Sequence, residues 1–145
     1  MNEISMKRGF EQLARIESSP HPSIVEALRD IAPDLVEMHD CFTIAEIVRM
    51  EGLGLIPRGE GAAWTASGRT SLGGALPVNP SGGLLSRGHP VGATGVAQVC
   101  EAYWQLTGQA GRRQVEGARL ALAYCKGGTV SGTDGGSVTT VVVSA

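Results

Sequence analysis

Aromatic side chains make up only 4% of this 145-residue chain, and charged ones 18% with a net charge of −2. The basic residues are scattered, so the positive field and stacking platforms that hold nucleic acid are missing. The pairs "KR" at 7–8 and "GRR" at 111–113 are expected on solvated surface. No apolar run approaches the ~20 residues of a membrane span. The opening "MNEISMKRGF" lacks the apolar core of a signal peptide. Three cysteines with no repeated spacing indicate neither a disulfide framework nor a zinc site. A reducing cytoplasm is therefore the expected compartment, with no metal and no permanently bound cofactor. There is no G-x-x-x-x-G-K-[ST] loop and no G-x-G-x-x-G between a strand and a helix, which excludes the common nucleotide cradles. No G-x-S-x-G elbow points to a serine hydrolase. The length suits one domain.

What the chain has in quantity is glycine, 21 residues. Much of it falls in and around "NPSGGLLSRGHPVGATG" at 79–95. Glycine loses more conformational freedom on folding than any other residue, so such a cluster implies tight turning or close approach of a ligand. "DLVEMHD" fits a short strand, "FTIAEIVRMEGLG" an amphipathic helix closed by glycine, and "GARLALAYC" and "SVTTVVVSA" two more strands. Helices are also expected over "MKRGFEQLARIE" and "HPSIVEALRDIAP", and from Val91 to Leu106 with Cys100 in the core. Residues 52–83 read as a long connection with little regular structure. "TTVVVSA" is nearly continuous in apolar content, as for a strand buried on both faces. The pattern is α/β with a mixed sheet packed with helices. So few strands leave sheet edges exposed and imply a partner.

Four places can carry chemistry. His89 sits among small residues ahead of a helix, where backbone N–H groups and a positive dipole favour a neutral imidazole that donates a hydrogen bond. "EMHDCF" puts His39, Asp40 and Cys41 at a strand-to-helix junction, where ligand crevices form; Asp40 as a cap and Cys41 as a small buried residue is an equal reading. "YCKGG" places Cys125 at a strand end, either exposed to a pocket or buried within the sheet. "NPSGG" is a turn that lets backbone pack near His89.

Together "HDCF", "NPSGG…GHP.GATG" and "CKGG", in this order, resemble the C-terminal half of thiolases of the sterol-carrier-protein and acetyl-CoA acetyltransferase type. The resemblance runs from about Leu35 to the end, so 1–145 is expected to be one thiolase C-terminal-like domain, with 1–33 a helical segment less firmly part of it. It implies half of a layered αβαβα fold, incomplete by itself. It also implies oligomers, and acyl-CoA and coenzyme A as substrates. By position, His89 would help activate a nucleophilic cysteine and donate to the thioester oxygen. His39 would stand where many thiolases have an asparagine that holds a water. Cys125 would be an acid/base and the Gly127 N–H part of a second oxyanion hole, with Gly83 and Gly88 near the thioester. In members without the later cysteine, the Cys41 position takes the acid/base role, and here both thiols are present. The family's nucleophile lies in a Cys-x-Ser motif of the N-terminal half. None of Cys41, Cys100 or Cys125 is followed by serine two residues later.

Three functions follow as expectations. The first is a small subunit of an acyl-CoA acyltransferase completed by a larger chain that carries the nucleophile. The second is a subunit of an acyl-CoA retro-aldolase. The third is a non-catalytic scaffold or truncated homologue, assembled as a homo-oligomer.

Overall fold

In a computed structural model, residue 28 and residues 31–127 and 137–145 are described. The first helix expected before Pro33, most of the second, and most of the turn after Lys126 lie outside them. Strand β1 (Leu35–Met38) leads into helix α1 (Thr43–Gly52). Short helices α2 (Gly61–Ala66) and α3 (Gly83–Arg87) precede the long helix α4 (Thr94–Leu106). A 3-10 turn at Gly111–Arg113 then leads to strands β2 (Leu120–Gly127) and β3 (Ser137–Ser144).

The sheet is mixed, as expected, in the order β1-β2-β3. β1 runs parallel to β2, with Leu35 opposite Ala121 and Met38 opposite Tyr124; β3 runs antiparallel to β2. Asp34 fixes this register at one end, because its carboxylate accepts the N–H groups of Arg119 and Leu120 at 2.8 and 2.9 Å. Side chains alternate across the sheet. Val36, Met38, Leu122 and Tyr124 join Met50, Leu53, Ile56 and Leu76 in one core, on the α1 side. Leu35 and Ala121 face the other way and pack with Ala102 of α4 and Val115.

The connection over 52–83 is more structured than its composition suggests. α2 interrupts it, Arg69 lies over the Trp64 ring at 4.9 Å, and Val78 bridges to Val36 as a fragment of parallel strand. Asn79 extends that fragment with its side chain: Met38 N–H donates to Asn79 Oδ1 at 2.7 Å, and the Asn79 N–H donates to Val36 O. Its left-handed backbone, φ 51°, then turns the chain toward the following glycines.

Two expectations are corrected. β3 is not buried on both faces: Val142 is 41% exposed, Thr139 and Ser144 are exposed and Val141 and Val143 half-buried. Among the described residues it pairs only with β2, so its outer edge and part of its faces stay open. Cys100 is exposed, not core. α4 turns Thr94, Gln98, Glu101, Ala102 and Gln105 inward, and this spacing puts Cys100 on the opposite side.

That orientation gives α4 a polar interior. Gln98 Nε2 donates to Tyr124 O at 3.1 Å. Gln105 donates to Arg113 O and Glu101, and accepts from Val115 N–H. Glu101, nearly fully buried, pairs with Arg113 at 2.9 Å. Val96, Val99, Tyr103 and Trp104 face outward, with Val96 64% exposed.

Candidate functional site

β1 ends where its ladder with β2 continues by one more bond, from His39 N–H to Tyr124 O at 3.0 Å. Parallel pairing therefore sets His39 beside the residue after Tyr124, and Cys125 Sγ lies 3.8 Å from His39 Nδ1. From the other side comes His89, whose ring meets that of His39 edge-on at a centroid distance of 4.8 Å. Three residues that are up to 86 positions apart in sequence thus form one cluster.

Their environments differ. His39 is buried and His89 exposed. Burial, then the charges of Arg49 and His89, hold the His39 imidazole down to about pKa 4, so it is neutral near pH 7. Burial pushes the Cys125 thiol up, which keeps it protonated there. His89 Nδ1 lies 2.7 Å from Thr94 Oγ1, and that hydroxyl donates to Pro90 O at 3.2 Å. A hydroxyl has one hydrogen. Given to Pro90, it leaves His89 Nδ1–H donating to Thr94 and Nε2 as the acceptor; given to Nδ1, the shorter contact, it leaves Nε2–H free to donate. Helix α4 begins at Thr94 rather than Val91, and a turn over 90–93 carries the chain from His89 into it.

The glycines of 79–95 serve distinct ends. Asp40 Oδ1 accepts the N–H of Leu84 at 2.6 Å, and a Cβ on Gly83 would collide with the same carboxylate. Gly83 and Gly88 take φ values of 61° and 91°, in the region that favours glycine. Space beside Gly88 is open, whereas a Cβ at Gly95 would lie 3.5 Å from Cys125 Sγ. A groove of about 490 Å3 opens here, lined by Val91, Gly95, Val96, Val99, Cys125 and Val141. Gly127 ends β2 with open space around it.

Cys41, half-buried, has a different neighbour. Both terminal nitrogens of Arg49 reach its Sγ, at 3.9 and 3.7 Å. Arg49 is buried at 6% exposure, although it sits on a helix whose spacing gives no hint of a buried cation. Thr94 and Glu37 are the other contributors that sequence reasoning missed. Glu37 is fully buried on β1 and accepts the Ser81 N–H and O–H at 2.9 and 2.7 Å, tying β1 to the glycine-rich turn.

The family model described as thiolase C-terminal domain-like matches residues 23–141. The chain belongs to this family. An acetyl-CoA acetyltransferase of Methanothermobacter thermautotrophicus is 55% identical over 96 residues, covering 66% of this chain and 25% of that protein. Sterol carrier protein 2 of Oryctolagus cuniculus is 52% identical over 67% of this chain and 18% of its own length. Benzoylsuccinyl-CoA thiolase subunit BbsB of Thauera aromatica is 45% identical over 66% of this chain and 25% of its own. These matches cover a quarter or less of each relative. Among solved structures, the Ltp2-ChsH2(DUF35) aldolase aligns with a TM-score of 0.59 and 24% identity, covering 82% of this chain and 28% of that one. This likeness supports the thiolase-like fold alone. Among the described residues, no helix is long and apolar enough to cross a membrane.

Proposed function

We propose that this thiolase-type domain is the smaller part of an acyl-CoA acyltransferase, working with a larger chain that carries the nucleophilic cysteine in a Cys-x-Ser motif. In this reading His89 donates to the thioester oxygen and helps activate that cysteine. His39, neutral, adds a second hydrogen bond in the same hole. A cysteine of this chain, Cys125 or Cys41, moves the proton, and the Gly127 N–H serves the second hole. Aimed donors of this kind are worth about 10²–10³ in rate each. Acyl-CoA and coenzyme A are substrates, and no resident cofactor is required.

The observation that carries the reading is the meeting of His39, His89 and Cys125, the last of which lines an open apolar groove. A thiol held protonated is suited to giving up a proton rather than attacking a thioester, so the nucleophile is assigned to the partner. The outward apolar face of α4 supports the same partner. Val96, Val99 and Tyr103 form a stripe at helical spacing, which a second layer would cover.

Native mass spectrometry of the protein purified gently from its own cells tests this first. A complex with a larger chain bearing Cys-x-Ser, active in acyl transfer between CoA thioesters, is the expected result. In that complex His89→Ala should lower kcat by about 10²-fold. A partner without a nucleophilic cysteine, with carbon–carbon cleavage of a hydroxyacyl-CoA, would replace the reading by a retro-aldolase. Homo-oligomers alone would leave a scaffold.

A further inference from the structure

Arg49 is a buried cation. Both of its terminal nitrogens lie on Cys41 Sγ, and its guanidinium is 5.8 Å from the centre of the Tyr124 ring. Among the described residues it forms no ion pair; the pair that exists joins Arg113 to Glu101. A charge taken out of water is costly unless a counter-charge meets it. The ring face supplies part of that compensation. What remains is met if the atom already in contact with both nitrogens, Cys41 Sγ, carries the negative charge.

We propose that Arg49 is a positioning residue that makes Cys41, rather than Cys125, the reactive thiol of the site. The two cysteines are equally placed for access, both half-buried, so exposure does not decide between them. Contacts do. Cys41 faces two cationic N–H donors, whereas Cys125 faces a neutral imidazole and the apolar groove. Burial, the largest effect on Cys125, raises its thiol, against a smaller opposing pull from the Arg49 and Arg87 charges, neither of which makes contact with its sulfur. The proposal rests on the acyl-CoA reading only for its consequence, which is that the proton is moved by Cys41.

The experiment needs neither partner nor substrate. The full chain is treated with iodoacetamide at a series of pH values from about 6 to about 9, and alkylation of each cysteine is followed by peptide mass spectrometry. Cys100, exposed on α4, reports an ordinary surface thiol. Cys41 should label about tenfold faster than Cys125 near neutral pH. Arg49→Met should remove the advantage. Arg49→Lys, which keeps the charge but not the fork, should fall between. Faster labelling of Cys125 than Cys41 in the native chain overturns the proposal, and that comparison holds even if Arg49→Met fails to fold. So does a folded Arg49→Met or Arg49→Lys protein with an unchanged Cys41 profile. Failure here leaves the acyl-CoA reading standing, and loss of that reading leaves the labelling result intact.

Discussion

The Asp40 carboxylate accepts the Leu84 N–H at 2.6 Å and fills the space where a side chain on Gly83 would begin. This contact joins two motif segments far apart in sequence, beside the bonds from Ser81 to Glu37 and from Met38 to Asn79. The strand-end loop carrying His39 and Cys41 is locked to the turn that leads to His89.

Gly83→Ala should therefore destabilise the chain by about 2–3 kcal/mol, combining a collision with backbone strain. Gly88→Ala, strained in backbone but with open space beside it, should cost about 1 kcal/mol. Urea unfolding of the two variants checks the order. Equal losses would mean that the Asp40 contact is not what fixes Gly83.

Two buried groups give stability opposite pH slopes. His39 falls from 6.5 to about 4 on folding, so the unfolded chain binds more protons between those values. Its contribution is complete above pH 6.5 and is lost as pH falls through that window. Glu37 rises from 4.5 to about 7 because burial penalises its charge, and here the folded chain binds more protons. Its contribution is complete below 4.5 and declines as pH rises toward and past 7. The slopes oppose each other up to 6.5, and above it only Glu37 of the two acts. Glu37→Gln should reduce the loss of stability expected of the native chain between pH 6.5 and 8, as measured by thermal midpoints across ~pH 5–8. A variant whose midpoint still falls over that range as in the native chain would refute the assignment. In the folded protein, His39 ring resonances should remain those of the neutral form until pH approaches 4.

Gln98 is buried and donates to Tyr124 O, while its own Oε1 has no hydrogen-bond partner. Tyr124 O also accepts the His39 N–H. Gln98→Leu thus leaves that carbonyl satisfied and removes an orphaned acceptor of similar volume. It should change stability by no more than about 1 kcal/mol. Gln105→Leu should cost more, about 2–3 kcal/mol, because Val115 N–H and the Arg113 carbonyl both lose their partner. Urea midpoints distinguish the two.

The strands were legible where pattern and burial agree. "DLVEMHD" alternates between two cores and forms β1, and "GARLALAYC" forms most of β2. α4 was legible as a helix but not in its facing. Its inward side is held by Gln98, Glu101 and Gln105 through polar bonds to Tyr124 and Arg113 beyond the helix, and hydrophobic spacing does not register such bonds. The same limit placed Cys100 in the core. Apolar content alone reads β3 as doubly buried, because it says that a strand wants cover, not that the chain supplies it. At the site, the family resemblance pointed to His39, His89 and Cys125, and the β1–β2 register explains how His39 and Cys125 meet. Arg49 left no trace in the sequence, since an arginine on the polar side of a helix is ordinarily solvated.

Helix α4 has its polar side inward and its apolar side toward water, which makes it a seam rather than a surface. If the proposed larger chain covers this side, a cell that makes this chain in excess of it would hold molecules whose apolar stripe is left open. Synthesis of the two in matched amounts would then be a requirement written into the helix itself, independent of any catalytic residue. The same stripe also sets a direction for sequence drift. Polar replacements at Val96, Val99 or Tyr103 would ease life for the lone chain while weakening the proposed seam.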